Sequence, residues 1–366
     1  MQLEETVVPM YDPLPRPAPR SRRAVLRGMA GACLSVGLPW STLRAQPAHQ
    51  ALVDVHHHWY SPELQRWWGR DRFDPNWTTA ASLAAMDEAG VTTAMLSVTM
   101  PGIWKGSDGP GSVRLARSCN EQMARTAQDH PGRYGVIAVL PLPQVDASLE
   151  EIRYAFDVLH ADAIGVLSNY DSQYLGDPRF APVLEELDRR RAVLYVHPMA
   201  PACCTMLVPG VGPGTLEAPT DTARTVESLL VTGTLSRLSG MQLVIAAGGG
   251  TLPFVGERML NAAIQAGRAA PESHRMYFVP ETLKAALGRL AIDTAGVTNP
   301  ADWAALMNFT TPARLLFGSD FPNATDSSCL QQLRAMQQRF GLEAAEAAAI
   351  ESGNAQRLFP RLAAHA

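Results

Sequence analysis

Cysteine is scarce in this 366-residue chain: there are five, with Cys33 near the N-terminus and Cys119, Cys203, Cys204 and Cys329 following without regular spacing. A disulfide framework is therefore excluded. Cys203 and Cys204 are adjacent, a spacing that strains a bridge, so packing is the role expected of them. An excess of positive charge is also missing, since 31 basic residues face 35 acidic ones for a net charge of −4. Nucleic acid is accordingly not an expected partner. No run approaches the ~20 apolar residues that a spanning helix needs. There is no internal repeat, and no glycine-rich dinucleotide turn follows the first apolar run.

What is present begins with an address. Ser21-Arg22-Arg23-Ala24-Val25-Leu26-Arg27 is a twin-arginine pattern, followed by a mildly apolar stretch over residues 28–38 and by small residues at Ala45 and Ala48 where a signal peptidase would cut. Residues 1–45 are expected to be a leader read by the twin-arginine export machinery, with the periplasm as destination. This leader holds six arginines and three acids, so the chain from residue 46 onward carries −7. With 46% hydrophobic content, that remainder is long enough for one large core.

Eight short apolar runs follow, at 52–55, 93–98, 134–139, 163–167, 192–196, 243–246, 290–292 and 315–317. They alternate with helical patterns at 80–89, 114–130, 147–160, 178–190, 221–238, 253–266, 301–307 and 327–340. In the third of these, Asp146 is expected as N-cap of a run carrying Leu149, Ile152, Phe156 and Leu159 at helical spacing. Eight repeats of strand and helix select an α/β fold of the closed (β/α)8 TIM-barrel type over an open doubly wound sheet. Residues 46–366 are expected to form it as a single domain. The stretch 342–362 reads as one or two closing helices with a break near Gly353.

The chemistry-bearing residues sit where apolar runs end. Asp54-Val55-His56-His57-His58, Val196-His197-Pro198 and Phe317-Gly318-Ser319-Asp320 each close such a run. Side chains alternate along a strand, so His56 and His58 face one way and His57 the other. Imidazoles and a carboxylate gathered at a barrel's carboxyl rim suit a divalent cation that keeps a position open for water or substrate. Three long loops surround that rim. The first, 59–79, holds Trp59, Trp67, Trp68 and Trp77; the second, 99–113, is glycine-rich around Trp104; the third, 198–220, carries Val208-Pro209-Gly210-Val211-Gly212-Pro213-Gly214 and suits a lid. Aromatic loops around a metal suit a planar substrate, with Trp104 as a contact. Packing of the loop, or a subunit contact, is the competing role for these tryptophans.

The Asp-x-His-x-His segment, His197 on the fifth strand and Gly-Ser-Asp on the eighth together resemble the amidohydrolase superfamily. The resemblance is closest to the branch holding aminocarboxymuconate-semialdehyde decarboxylase and 6-methylsalicylate decarboxylase-like members. Further matches are Val139-Leu140-Pro141-Leu142-Pro143, Tyr174-Leu175-Gly176-Asp177-Pro178, the stretch from Val196 to Cys204, and Gly249-Gly250-Thr251-Leu252-Pro253. The similarity covers the chain from about residue 50 to its end. It implies that His56, His58, His197 and Asp320 bind one divalent ion, zinc first and manganese second. It also implies that Arg258 holds a substrate carboxylate across the interface of a homodimer, as an arginine fork is built to do. One position departs from the pattern: relatives carry a proton-handling histidine where this chain has Ala247.

The leading expectation is nonoxidative decarboxylation of an aromatic or unsaturated carboxylic acid, with Asp320 as both metal ligand and catalytic proton carrier. A metal-dependent hydrolase of a lactone, amide or ester is the second reading, because the same ligands would lower the pKa of bound water. The third is a metal-containing binding protein that has lost turnover. Its argument is Ala247, since loss of a general acid/base removes roughly 10²–10⁴-fold in rate.

Overall fold

The structure is a computed structural model that describes residues 51–69, 77–106, 109–204 and 207–363. The twin-arginine pattern and the proposed cleavage region lie outside the described residues. The described residues belong to one compact unit.

Eight strands pair in parallel in chain order: Val53–His58, Thr93–Ser97, Tyr134–Val139, Ala163–Leu167, Val193–His197, Gln242–Ile245, Ala291–Asp293 and Leu315–Leu316. The circle closes between the eighth strand and the first, where Val55 N–H donates to Phe317 O at 3.0 Å, Asp320 N–H to His56 O at 2.9 Å and His58 N–H to Phe321 O at 2.8 Å. This is the expected (β/α)8 barrel. Its strands are buried on both faces, which is why they read as continuous apolar runs. Two core layers result. Val55, Met95, Ile137, Tyr195, Val244 and Leu316 fill the inside of the barrel. Leu52, Leu96, Val136, Ile164, Leu194, Ile245, Ile292 and Leu315 belong to the larger layer that also holds the helices' apolar residues.

Several elements differ from expectation. The first strand runs on through His58, so the histidines lie inside it and not beyond it. The helix expected to be capped by Asp146 spans Val145–Asp157 with Gln144 as N-cap; Asp146 lies in the first turn, where a carboxylate still faces the positive helix end. The pattern over 221–238 starts earlier and is split into Glu217–Val231 and Thr234–Arg237 by Gly233, whose φ of 71° is left-handed. The first long loop contains its own helix, Pro62–Trp68, because Ser61 accepts from Leu64 N–H and Pro62 supplies a preset φ at the first helical position. The break near Gly353 is a π-helical turn over Ala349–Gly353, joining Ala344–Ala348 to Asn354–Leu358. Among the described residues, no helix is long and apolar enough to cross a membrane.

Cys203 and Cys204 are bridged, against the packing role expected of them. A tight 3-10 turn over Ala202–Cys204 brings the neighbouring thiols together, a local geometry that sequence spacing does not reveal. Cys119 and Cys329 are free thiols.

Candidate metal centre and active-site cleft

His56, His58 and His197 come together from the first and fifth strands, each offering a ring nitrogen within 4.8 Å of the others, all three buried. His56 Nε2 and His58 Nε2 lie 3.2 Å apart. Asp320 approaches from behind the eighth strand, its Oδ1 2.9 Å from His58 Nε2 and 3.3 Å from His56 Nε2.

The outer nitrogens decide what the inner ones present. His56 Nδ1–H donates to Asp293 Oδ2 at 3.0 Å, because a carboxylate only accepts. His197 Nδ1–H donates to the carbonyl of Pro198 at 2.8 Å. Ser97 directs its hydroxyl proton toward His57 O, 3.4 Å away, which leaves a lone pair for His58 Nδ1–H at 3.3 Å. With all three Nδ1 atoms turned to outer partners, three Nε2 atoms and a carboxylate are left to converge on one point. That donor set fits a divalent cation, and the outer bonds are the kind that orient a metal's imidazoles.

Electrostatics agree in part. Burial pulls His197 well below the usual imidazole range, and the neighbouring His58 and His56 add to it. His58 is also lowered, chiefly by burial. His56 moves the other way: burial opposes its charged form, but the Asp293 carboxylate beside it, helped by Asp320, holds it well above its ordinary value. Burial alone would raise Asp320, yet hydrogen bonds from His56 and His58 keep it below the usual carboxylate range.

Sequence reasoning missed Asp293. It ends the seventh strand, is fully buried, and accepts from four groups: His56 Nδ1–H, Tyr195 O–H at 3.0 Å, Ala247 N–H at 2.9 Å and Ala295 N–H at 3.1 Å. The signal that could have found it is an acid closing the apolar run Ala291-Ile292, the same signal that marked the other ligands. Gly318 makes the site possible. A Cβ there would lie 2.8 Å from the His56 Cβ and 3.1 Å from that of Asp293.

A cleft of about 450 Å³ opens beside Asp320 and is lined by Ala247, Gly248, Thr251, Phe254, Val297 and, from the third long loop, Gly214 to Leu216. A much smaller apolar cavity of about 10 Å³ is lined by residues that include Ser97, Tyr195 and His197. The alanine at 247 thus borders the cleft, as the sequence position implied. Arg258 does not: it is exposed on the helix Leu252–Gly267, outside the residues lining the cleft of its own chain. Trp104 is half-buried against the core, its indole N–H donating to Asp171 Oδ2 at 2.7 Å, and it too lies outside that lining. The loop tryptophans pack: Trp59 meets Trp77 edge-on with centroids 6.2 Å apart, and the Lys105 ammonium sits 4.9 Å over Trp67 and 5.5 Å over Trp68.

The sequence profile of the Amidohydrolase family matches residues 53–361. The chain belongs to the amidohydrolase family. The amidohydrolase is 34% identical over 327 residues to a 6-methylsalicylic acid decarboxylase of Aspergillus aculeatus, covering 85% of this chain and 96% of that one. It is also 34% identical over 321 residues to the 6-methylsalicylic acid decarboxylase of Penicillium expansum, covering 85% and 97%. Among solved structures, a dihydroxybenzoic acid decarboxylase from a Polaromonas species, with bound manganese and 2-nitroresorcinol, superposes with a TM-score of 0.73 at 18% identity over 85% of this chain and 97% of that one. At that identity the likeness establishes the shared fold.

Proposed function

We infer that this amidohydrolase is a metal-dependent, nonoxidative carboxy-lyase acting on an aromatic carboxylic acid. The observation that carries this reading is the convergence of His56, His58, His197 and Asp320, the last of them on the wall of a cleft, in a chain whose full-length relatives are named decarboxylases. A divalent ion held there, zinc as the first expectation and manganese as the second, would supply positive charge to a substrate's carboxylate and neighbouring oxygen.

The chain's own residues do the rest. Asp293 and Ser97 fix the imidazole planes and keep the ring protons on the outside. Asp320, about one-third exposed, is the carboxylate that touches the imidazoles and also lines the cleft. Ionised at rest, it takes up the proton of an incoming hydroxyl or acid and returns it to the ring carbon that bears the carboxylate. That carbon becomes tetrahedral, the carbon–carboxylate bond breaks, and carbon dioxide leaves with the ring's aromaticity restored. Ala247, Val297 and Phe254 give the cleft an apolar wall suited to a benzene ring, which favours an ortho-hydroxybenzoate.

Two finer points are proposed with it. Arg258 reaches a substrate only from a second subunit, which fits a homodimer in which the exposed Phe254, one turn away and 67% accessible, is covered. Export by the twin-arginine route rests on Ser21 to Arg27, and such export carries proteins already folded with their metal.

Product analysis of metal-loaded protein with 6-methylsalicylate, salicylate and 2,6-dihydroxybenzoate tests the central reading. Stoichiometric carbon dioxide and the matching phenol are expected. Cleavage of aryl esters or lactones with no carbon dioxide from any of the acids would replace it with hydrolysis.

A further inference from the structure

The first strand has a second face that the proposed reaction does not use. Asp54, His57 and Asp326 meet there, all buried, each offering a ligand atom within 4.8 Å of the others. We propose that these three side chains hold a second divalent cation, a structural one of the Mn²⁺ type, on the face of the strand turned away from the catalytic centre.

Charge balance is the first argument. Two carboxylates are buried side by side, and among the described residues neither is paired with an arginine or lysine. Buried charge without a counter-charge is strongly unfavourable. Asp326 is only 1% exposed, yet neither of its oxygens accepts a hydrogen bond. The nearby Ser319 hydroxyl gives its proton to Asp54 Oδ2 at 2.6 Å.

Geometry is the second. His57 Nδ1 lies 3.1 Å from Asp54 Oδ2 and 4.0 Å from Asp326 Oδ1. Those spacings resemble the edges of a coordination shell with bonds of ~2.1 Å, whose adjacent ligands stand about 3 Å apart and opposite ones about 4 Å. The far side of the ring is already arranged for such a role: His57 Nε2 sits 2.8 Å from Ser82 Oγ, which meets Tyr134 OH at 2.9 Å. An Nε2–H donating to Ser82 leaves the Nδ1 lone pair facing the carboxylates, the usual outer-sphere device for a metal-bound imidazole. Phe321 stacks on the ring at 4.5 Å and 12°, fixing its plane. The other Asp54 oxygen accepts from His56 N–H and Ser319 N–H, both at 3.0 Å. A cation here would therefore brace the backbone that carries His56 and Asp320. Two carboxylate oxygens and one imidazole suit Mn²⁺ better than a thiolate-seeking ion.

The rival occupant of the same space is protons, one donated from His57 Nδ1 to Asp54 and one on the Asp326 carboxyl. Metal content of the full chain, loaded with Mn²⁺, desalted and measured by mass spectrometry alongside Asp326→Asn and His58→Ala, separates the two. The expected result is two equivalents in the unmodified protein and one in each variant, with Asp326→Asn also losing part of the Mn²⁺-induced rise in melting temperature. One equivalent in the unmodified protein that His58→Ala abolishes, or a count unchanged by Asp326→Asn, overturns the proposal. Should Asp326→Asn fail to fold, the unmodified and His58→Ala counts together still decide. Loss of the catalytic ion alone reads differently: His58→Ala would then leave the count unchanged.

Discussion

Asp293 sets the orientation of His56, accepting from its ring and from Tyr195, Ala247 and Ala295 at once. Asp293→Asn replaces the charge that steadies His56 by an amide, and removal of such an outer partner typically costs 10–100-fold in metal affinity. Competition with a calibrated chelator measures this; unchanged affinity would mean His56 is held by its strand alone. Asp320→Asn is expected to lower kcat by at least ~10² while the protein still folds, because the amide cannot carry the proton. At Ala247, whose φ of 55° is left-handed and whose Cβ borders the cleft, Ala247→His is expected to reduce kcat/KM for ring acids by filling their space. A gain of two or more orders of magnitude would instead identify a degenerate site.

The first strand shows how an element can rearrange what alternation predicts. His56 and His58 share a face as expected, and His57 points away. Simple alternation would put Asp54 with His56 and His58, but the strand's register against its neighbour shifts between Asp54 and His57, and the Asp54 carboxylate joins His57 and Ser319. A bulge of this kind is a property of the pairing, not of the strand's own composition. Gly318, at the end of the eighth strand, is the matching device on the other side of the seam. Gly318→Ala would push His56 and Asp293 apart, since the new Cβ meets theirs at 2.8 and 3.1 Å. Weaker metal binding with a preserved far-ultraviolet circular dichroism spectrum is the expected outcome; unchanged affinity would show that the seam yields without cost.

Across the whole molecule, a cation held by these residues would link metal binding to folding. A cation bound at 1,000 times its Kd stabilises the folded state by ~4 kcal/mol, so chelation is expected to lower the melting temperature by several degrees. The sign of the pH dependence follows from His56. Held above its ordinary value by Asp293 and Asp320, it carries a proton in the metal-free protein that a cation must displace, whereas the lowered His58 and His197 are already neutral. Metal affinity should therefore rise with pH through and above the ordinary imidazole value of 6.5, with about one proton released per ion. Calorimetry in buffers of different ionisation enthalpy reads that proton directly, and affinity independent of pH would contradict it.

Much of this protein is legible in its amino-acid sequence. Eight apolar runs separated by helical patterns fixed the barrel, because strands buried on both faces must read as continuous hydrophobic stretches, and the ionisable residues closing those runs had to fall on one rim. What composition and spacing could not supply was everything that depends on a second segment of chain. Asp293 acquires its role only when the seventh strand lies near the first and fifth. Asp54 changes sides through a bulge, the tryptophans pack instead of lining the cleft, and Cys203 bridges Cys204 in a tight turn. A sequence determines which side chains reach a strand's end; which of them then share a proton, a cation or a carboxylate is decided by distances of a few ångströms between strands far apart in the chain.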